Sequence, residues 1–222
     1  MDKNISKLGL EYWQKGSNPS LLIHTGTHGD EYSVIELVEN FLTEHKEEMC
    51  DFVWVPRVSP SACRLKARNN ERGNNLNHMF VGEIIEPEAL ANLELLSPFK
   101  FKNFLSIHED LTADKFYMYE MKDNSKTSEW QKLFVGLKSR GINLYQGLDD
   151  PNDPALCNEI KDGYFSYAWQ KVSTIEKDPF FESYIFRNHL ITGKDVTAEV
   201  PGLLIAEKKK IIIELLFKYI CA

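Results

Sequence analysis

The stretch that decides the fold is Leu21-Leu-Ile-His-Thr-Gly-Thr-His-Gly-Asp-Glu31. It opens with a short apolar run, which predicts a buried strand, and the segment from Tyr32 to His45 then places apolar residues at helical spacing. The next predicted strand is Phe52–Val55, which stops at a proline. This strand–helix–strand order predicts a parallel strand pair in an α/β layer fold.

Within that stretch, His28 and Glu31 lie three residues apart, where the strand ends and the helix begins. A histidine and a carboxylate at this spacing can point at one ion, and we expect Gly29 to let the backbone turn without a side-chain clash. A common catalytic zinc site has three protein ligands and one open position. Taken singly, His28 is also compatible with a hydrogen-bonded structural histidine, and Glu31 with a helix first-turn acid.

The rest of the chain alternates between predicted strands and helices, and no repeat, low-complexity tract or linker interrupts it. We therefore predict one domain over residues 1–222. The polar stretch 58–82 has no clean period, and a segment of that length is more often functional than idle. The further predictions are helices at 86–96, 128–140 and 205–219, strands at 104–108, 116–121 and 196–200, and a surface loop at 149–154.

Composition and charge argue against a nucleic-acid-binding protein and against a membrane protein. The 222 residues have a formal net charge of −7, which argues against a nucleic-acid binder. A local basic cluster suits a small anionic group better than a duplex; its members are Arg57, Arg64, Lys66, Arg68 and Arg72. No signal peptide or apolar stretch of about 20 residues is present, so we predict a cytoplasmic protein without a membrane partner.

The four cysteines lie at positions 50, 63, 157 and 221 and form no close pair. This spacing does not predict a disulfide framework, and isolated structural thiols are expected.

Two further residues complete a possible catalytic group. His108 ends the predicted strand at 104–108, and Glu199 lies inside the predicted strand at 196–200. Sites in open parallel sheets form beyond the carboxyl ends of the strands, so we expect His28 and His108 to meet. Glu199 taken alone fits a strand carboxylate paired with a lysine better than a catalytic base.

Four blocks of this chain, taken in order, resemble the zinc carboxypeptidase superfamily, which includes the M14-like metallocarboxypeptidases and the aspartoacylase and succinylglutamate desuccinylase group. The blocks span most of the chain, and together they are more specific than any one of them. They are His28-Gly-Asp-Glu31, Arg68-Asn-Asn-Glu-Arg-Gly-Asn-Asn-Leu-Asn-His78, Ser106-Ile-His108, and Thr197-Ala-Glu199 followed by Val200-Pro201-Gly202.

The resemblance implies a three-layer α/β/α fold with a central mixed, mostly parallel twisted sheet. It also implies that His28, Glu31 and His108 hold one Zn²⁺ ion. Glu199 would be the general base, and Arg68 would stabilise the developing oxyanion. The family's substrate-capping tyrosine is expected at Tyr184, with Tyr164 and Tyr167 as competing positions.

The chain departs from the family pattern where the substrate's terminal carboxylate is bound. The family's Asp-Leu-Asn-Arg is here Asn75-Leu-Asn-His78, so Asn77 keeps its place while His78 replaces an arginine that binds carboxylates bidentately. The replacement of the family's aspartate by Asn75 is expected to alter the contacts that hold this loop in place. Arg72 or Arg64 could supply the missing cation.

The predicted function is therefore a zinc-dependent amide hydrolase of metallocarboxypeptidase type, acting on a C-terminal or near-terminal amide of a small peptide such as one derived from a cell wall. An N-acyl amino acid deacylase is the first alternative. A zinc-retaining binding module without catalysis is the second, and His78 is the feature that favours it. The sequence does not determine the substrate or the oligomeric state.

Overall fold

An eight-stranded mixed sheet forms the centre of the protein, in the order β1-β2-β4-β3-β5-β10-β6-β9. The computed structural model describes residues 1–149, 157–169 and 178–221. The strands are β1 (Asp2–Ile5), β2 (Glu11–Lys15), β3 (Leu21–His24), β4 (Phe52–Val55), β5 (Asn103–Asp110), β6 (Tyr117–Glu120), β7 (Gly147–Leu148), β8 (Glu159–Ile160), β9 (Tyr164–Ser166) and β10 (Asp195–Pro201). Strands β7 and β8 pair separately from the large sheet.

The four central strands β4, β3, β5 and β10 run parallel, while β2 and β6 pair antiparallel on either side of them. The described helices are α1 (Tyr32–His45), α2 (Pro60–Leu65), α3 (Pro87–Leu96), α4 (Ser128–Ser139), α5 (Phe181–Arg187) and α6 (Ala206–Ile220). None of them is long and apolar enough to cross a membrane.

Helices cover both faces of the sheet. One apolar core packs α1, α4 and α6 against one face, and a second packs α3 and α5 against the other. The expected three-layer α/β/α architecture with a mostly parallel central sheet is thus confirmed. The buried strands have apolar residues on both faces, as parallel sheets covered by helices require.

Strand alternation decides which side chains of β10 reach the second face. Val196, Ala198 and Val200 point into the first core. The alternate residues, Asp195 and Glu199 among them, must therefore face the opposite side of the sheet. The register places Glu199 beside His108 of the neighbouring strand β5, so these two predicted site residues emerge at the same edge.

The predicted strands and helices correspond to observed ones within a few residues at each end, and α2 adds a short helix inside the polar stretch 58–82. Residues 150–154 of the predicted surface loop lie outside the described part of the chain. One expectation about the cysteines is wrong: Cys50 and Cys221 form a disulfide, although 171 residues separate them. Sequence spacing cannot reveal a bridge between a residue just before β4 and the residue that follows α6.

A buried carboxylate on the face of the sheet that α4 covers makes the stability of the fold depend on pH. Glu120 accepts hydrogen bonds from Asn124 Nδ2 at 2.6 Å, Trp130 Nε1 at 3.0 Å and the Tyr164 hydroxyl at 2.8 Å. Burial nevertheless raises the pKa of Glu120 to about 7, against the lowering effect of those bonds. The folded protein therefore binds a proton here that the unfolded chain has already lost.

The contribution of Glu120 to the free energy of unfolding is expected to fall as pH rises from about 4.5 through 7, because between those values the folded state holds the extra proton. In Glu120→Gln this contribution disappears, so the difference in unfolding free energy between pH 5 and pH 8 should shrink. Urea unfolding at both pH values measures it. Glu207→Gln, which changes an exposed acid, is the control. Equal pH dependence in all three proteins would contradict the assignment.

Candidate metal centre and cavity

The three predicted metal ligands converge in a buried group at the carboxyl ends of the parallel strands. His28 Nδ1 lies 2.5 Å from Glu31 Oε1, and His108 Nδ1 lies 3.0 Å from Glu31 Oε2. All three side chains are buried, and one ligand atom from each lies within 4.8 Å of the others. Two imidazole nitrogens and a carboxylate oxygen at this separation fit a metal ion.

Asn75 orients His28 within this group. Its side-chain oxygen accepts from the backbone N–H of Asn77 at 3.1 Å and lies 3.1 Å from His28 Nε2. Because that oxygen is an acceptor, Nε2 of His28 is the nitrogen that donates to it, and Nδ1 is directed at Glu31. This is the arrangement by which an outer partner fixes the tautomer of a metal-binding histidine.

Electrostatics within the group favour an ionised Glu31. Burial opposes its ionisation, but the attraction of His108 and His28 and their hydrogen bonds outweigh burial and hold the pKa of Glu31 well below its usual range. Burial likewise opposes the charging of His108. The attraction of Glu31 and its hydrogen bond prevail there, and they raise the pKa of His108 to about 9. The carboxylate is thus held ionised between two imidazoles.

A cavity of about 580 Å³ opens beside the group and includes all three side chains in its lining. Glu199 lines it from β10, next to His108. Burial raises the pKa of Glu199 to about 8, the attraction of His108 partly opposes this, and repulsion from Glu31 and Asp110 adds to it. A cation in the metal centre would lower the pKa of this carboxyl by attraction, which favours the form that accepts a proton.

Arg68 lies at the mouth of the cavity, where its side chain is 54% exposed. Its Nη1 is 3.5 Å from His28 Nδ1 and 3.8 Å from Glu31 Oε1. The guanidinium therefore lies beside the group that could hold a metal, within ion-pair distance of Glu31.

The other predicted site residues divide into two groups. Asn77 and His78 line the cavity, and the ring of His78 meets Phe180 edge-on with centroids 5.1 Å apart. Arg72 and Tyr184 do not belong to the lining. The ring of Tyr184 lies beside Phe80 in the second core, and Arg64 forms an ion pair with Glu71 on the surface.

Gly29 avoids a side-chain clash between His28 and Glu31, as expected. Its backbone is not in the left-handed region, but a Cβ atom there would lie 1.9 Å from the carbonyl oxygen of Ala62. The amide of Gly29 also donates to Ala67 at 2.9 Å. The end of α2 thus packs directly on the backbone between His28 and Glu31.

Gly29→Ala is expected to cost about 1–3 kcal/mol of unfolding free energy, the usual range for overpacking, because the new methyl group meets backbone that cannot rotate away. It should also weaken metal binding by displacing His28. Thermal unfolding and metal titration measure the two effects. Gly136→Ala in α4 is the matched control, since its φ is not positive and a Cβ there would first meet the end of the Leu215 side chain, at 3.3 Å. A Gly29→Ala protein no less stable than this control would contradict the packing argument.

Comparisons with known proteins agree with this geometry. Residues 17–114 match the model of the succinylglutamate desuccinylase/aspartoacylase catalytic domain, a segment that contains His28, Glu31 and His108. The predicted resemblance to the zinc carboxypeptidase superfamily is confirmed. No match is found among curated proteins.

Solved structures share the fold of the chain. A Shewanella amazonensis SB2B protein, provisionally described as a metallopeptidase, has 22% sequence identity and a TM-score of 0.74 over 99% of this chain and 85% of its own. A metallo-carboxypeptidase from Burkholderia cenocepacia has 14% identity and a TM-score of 0.65 over 99% and 64%. A succinylglutamate desuccinylase from Silicibacter sp. TM1040 has 15% identity and a TM-score of 0.55 over 95% and 58%.

Sequence reasoning did not find Glu182 and Asp195, two buried acids that also line the cavity. Asp195 begins the strand that contains Glu199 and lies four residues before it. Strand alternation places Asp195 and Glu199 on the same face of the sheet, so the spacing of four residues could have predicted that Asp195 faces the cavity. No comparable pattern exists for Glu182, because α5 has only seven residues.

Proposed function

We propose that this protein is a zinc-dependent amide hydrolase of metallocarboxypeptidase type, which cleaves a terminal or near-terminal amide bond of a small peptide. The observation that supports this most is the placement of Glu199 beside His108, inside the same cavity as the His28–Glu31–His108 group. A metal-binding module has no physical need for a half-buried carboxylate at that place.

Zinc fits the two imidazoles and one carboxylate, and when bound it would act as a Lewis acid that makes hydroxide available near neutral pH. His28, Glu31 and His108 would hold it. Glu199 would take a proton from the attacking water and return it to the leaving nitrogen, as a general base and then a general acid.

Arg68 would donate to the substrate oxygen as negative charge develops on it. A fixed charged donor is most effective when it faces the position of that charge, and Arg68 reaches the metal centre from the cavity mouth. Asn77 and His78 would contact the substrate's carboxylate. Histidine offers one donor where the family has an arginine, so we expect weaker dependence on a free carboxylate.

A deacylase acting on N-acyl amino acids is the second candidate. The observation that favours it is the match of residues 17–114 to the succinylglutamate desuccinylase/aspartoacylase model. Its substrates also have an amide beside a carboxylate, so the same catalytic group would serve both reactions.

A substrate panel tests the proposal and separates the two candidates. The zinc-loaded protein is offered dipeptides and N-acyl amino acids, each with a free and an amidated terminal carboxylate. Cleavage of dipeptides supports the proposal. Cleavage of acyl amino acids alone would replace it with the deacylase, and zinc binding without cleavage of any member would favour the binding module.

A further inference from the structure

The cavity is lined along β10 by Asp195, Thr197 and Glu199, and we call the Asp195 end of this row, away from the metal centre, its inner end. Asp195 is 3% exposed and lines this inner end, yet neither of its carboxylate oxygens has a hydrogen-bond partner among the described residues. An unpaired buried carboxylate is costly to a folded protein. An unsatisfied acid that faces a cavity therefore indicates a partner that enters from outside.

Glu182 lies next to Asp195 at the same end of the cavity and is 7% exposed. It shares a hydrogen bond with the side chain of Thr197, the residue midway between Asp195 and Glu199 on β10. Burial raises the pKa of both acids, and repulsion from Glu182 adds to the effect on Asp195. Each would be stabilised by a positive charge placed between them.

Among the described residues, no lysine or arginine lines this end of the cavity. His108 attracts Glu182 and partly lowers its pKa, but His108 belongs to the group that could hold the metal. Arg68 is the single arginine or lysine in the described lining of the cavity, and it lies at the mouth beside the metal centre. The lysine that most attracts Asp195 is Lys122, whose exposed ammonium donates to the carbonyl of Thr192 at 3.0 Å instead.

We propose that Glu182 and Asp195 form a subsite for a cationic side chain, an ammonium or a guanidinium, on the substrate residue next to the scissile amide. This inference rests on the proposed function and names its substrate class. Asp195 lies four positions before Glu199, about 13 Å along the strand at about 3.3 Å per residue. A side chain as long as lysine or arginine spans the distance from the metal centre to Glu182, which lies at the level of Thr197.

The walls of this inner part suit the stem of such a side chain. Tyr119 and Tyr167 line it with ring centroids 6.2 Å apart, and Met121 lies at the same end. Aromatic faces attract cations, and methylene groups of a lysine pack on apolar surface while the charged head finds its partner. A short neutral side chain would leave this space and both acids unoccupied.

Matched substrates test the subsite. The zinc-loaded protein is assayed with dipeptides and N-acyl amino acids that contain either lysine or norleucine, which differ mainly in the terminal ammonium. We expect lysine to raise kcat/KM about 10- to 100-fold, the range of a charge-assisted hydrogen bond. Asp195→Asn and Glu182→Gln should each reduce that preference. Asp114→Asn, which removes an exposed charge outside the cavity lining, should retain it.

Binding of free lysine and free norleucine, measured by calorimetry, is a second readout that needs no turnover. Tighter binding of lysine that weakens in Asp195→Asn supports the subsite. Cleavage of both substrates at equal rates would overturn the subsite and leave the proposed function standing. If neither substrate is cleaved, the proposed function fails on this panel, and equal binding of the two amino acids then overturns the subsite as well.

Discussion

His108→Ala is expected to remove most of the zinc affinity of this protein, together with its activity. Loss of an outer-shell partner alone typically costs roughly 10- to 100-fold in metal affinity, and loss of a direct ligand should cost more. His108 is one of three side chains that could hold the ion, and it lies on β5, whereas His28 and Glu31 lie in the segment between β3 and α1. Calorimetric zinc titration of the metal-free proteins measures the effect.

The metal-free variant should also be less stable, because Glu31 loses one of the two imidazoles that hold its buried charge. The increase in melting temperature on adding zinc separates the two effects, since a ligand stabilises only a folded state that binds it. That increase should vanish in His108→Ala. His45→Ala, at a partly exposed histidine outside the cavity lining, should retain it in full. Full zinc stabilisation of His108→Ala would contradict the proposed ligand set.

Glu199→Gln is expected to lower kcat about 10²- to 10⁴-fold, the contribution typical of a positioned general acid–base group. The amide has nearly the same shape as the carboxylate but cannot accept a proton from water. Glu199 is not in the group that could hold the metal, so zinc binding and the rise in melting temperature should persist. The assay uses whichever member of the substrate panel is cleaved.

The comparison of zinc binding with turnover distinguishes a base from a structural acid. If Glu199 only supported the fold, Glu199→Gln would alter stability without a selective loss of kcat. Glu207→Gln, at an exposed acid of α6, serves as the control for removal of one negative charge. A Glu199→Gln enzyme with an unchanged rate would remove Glu199 from the proposed mechanism.

The parts of the fold that sequence could predict are those with a clear period. Apolar spacing in residues 32–45 and the short apolar runs of β3, β4 and β5 were sufficient to predict a parallel α/β sheet. The convergence of His28 and His108 followed from the same rule, since the carboxyl ends of parallel strands meet at one edge. The positions of His28 and His108 at the ends of predicted strands, together with the parallel topology, were therefore enough to predict that they meet.

What the sequence could not predict depends on contacts without a local pattern. The Cys50–Cys221 bridge joins distant segments, and the inner acids Glu182 and Asp195 come together only when α5 packs on β10. Asn75 was singled out as an altered position, but its hydrogen bond to His28 depends on a loop that returns across 47 residues. Tertiary packing supplied these features.

The most direct test of the central proposal is the hydrolysis rate of the metal-stripped protein as zinc is added back. The rate is measured on the best substrate of the panel against the ratio of zinc to protein chains. We expect no hydrolysis without zinc, a linear rise, and saturation at one ion per chain. A rate that does not depend on zinc, or that stays at zero after one ion has bound, would contradict the proposal.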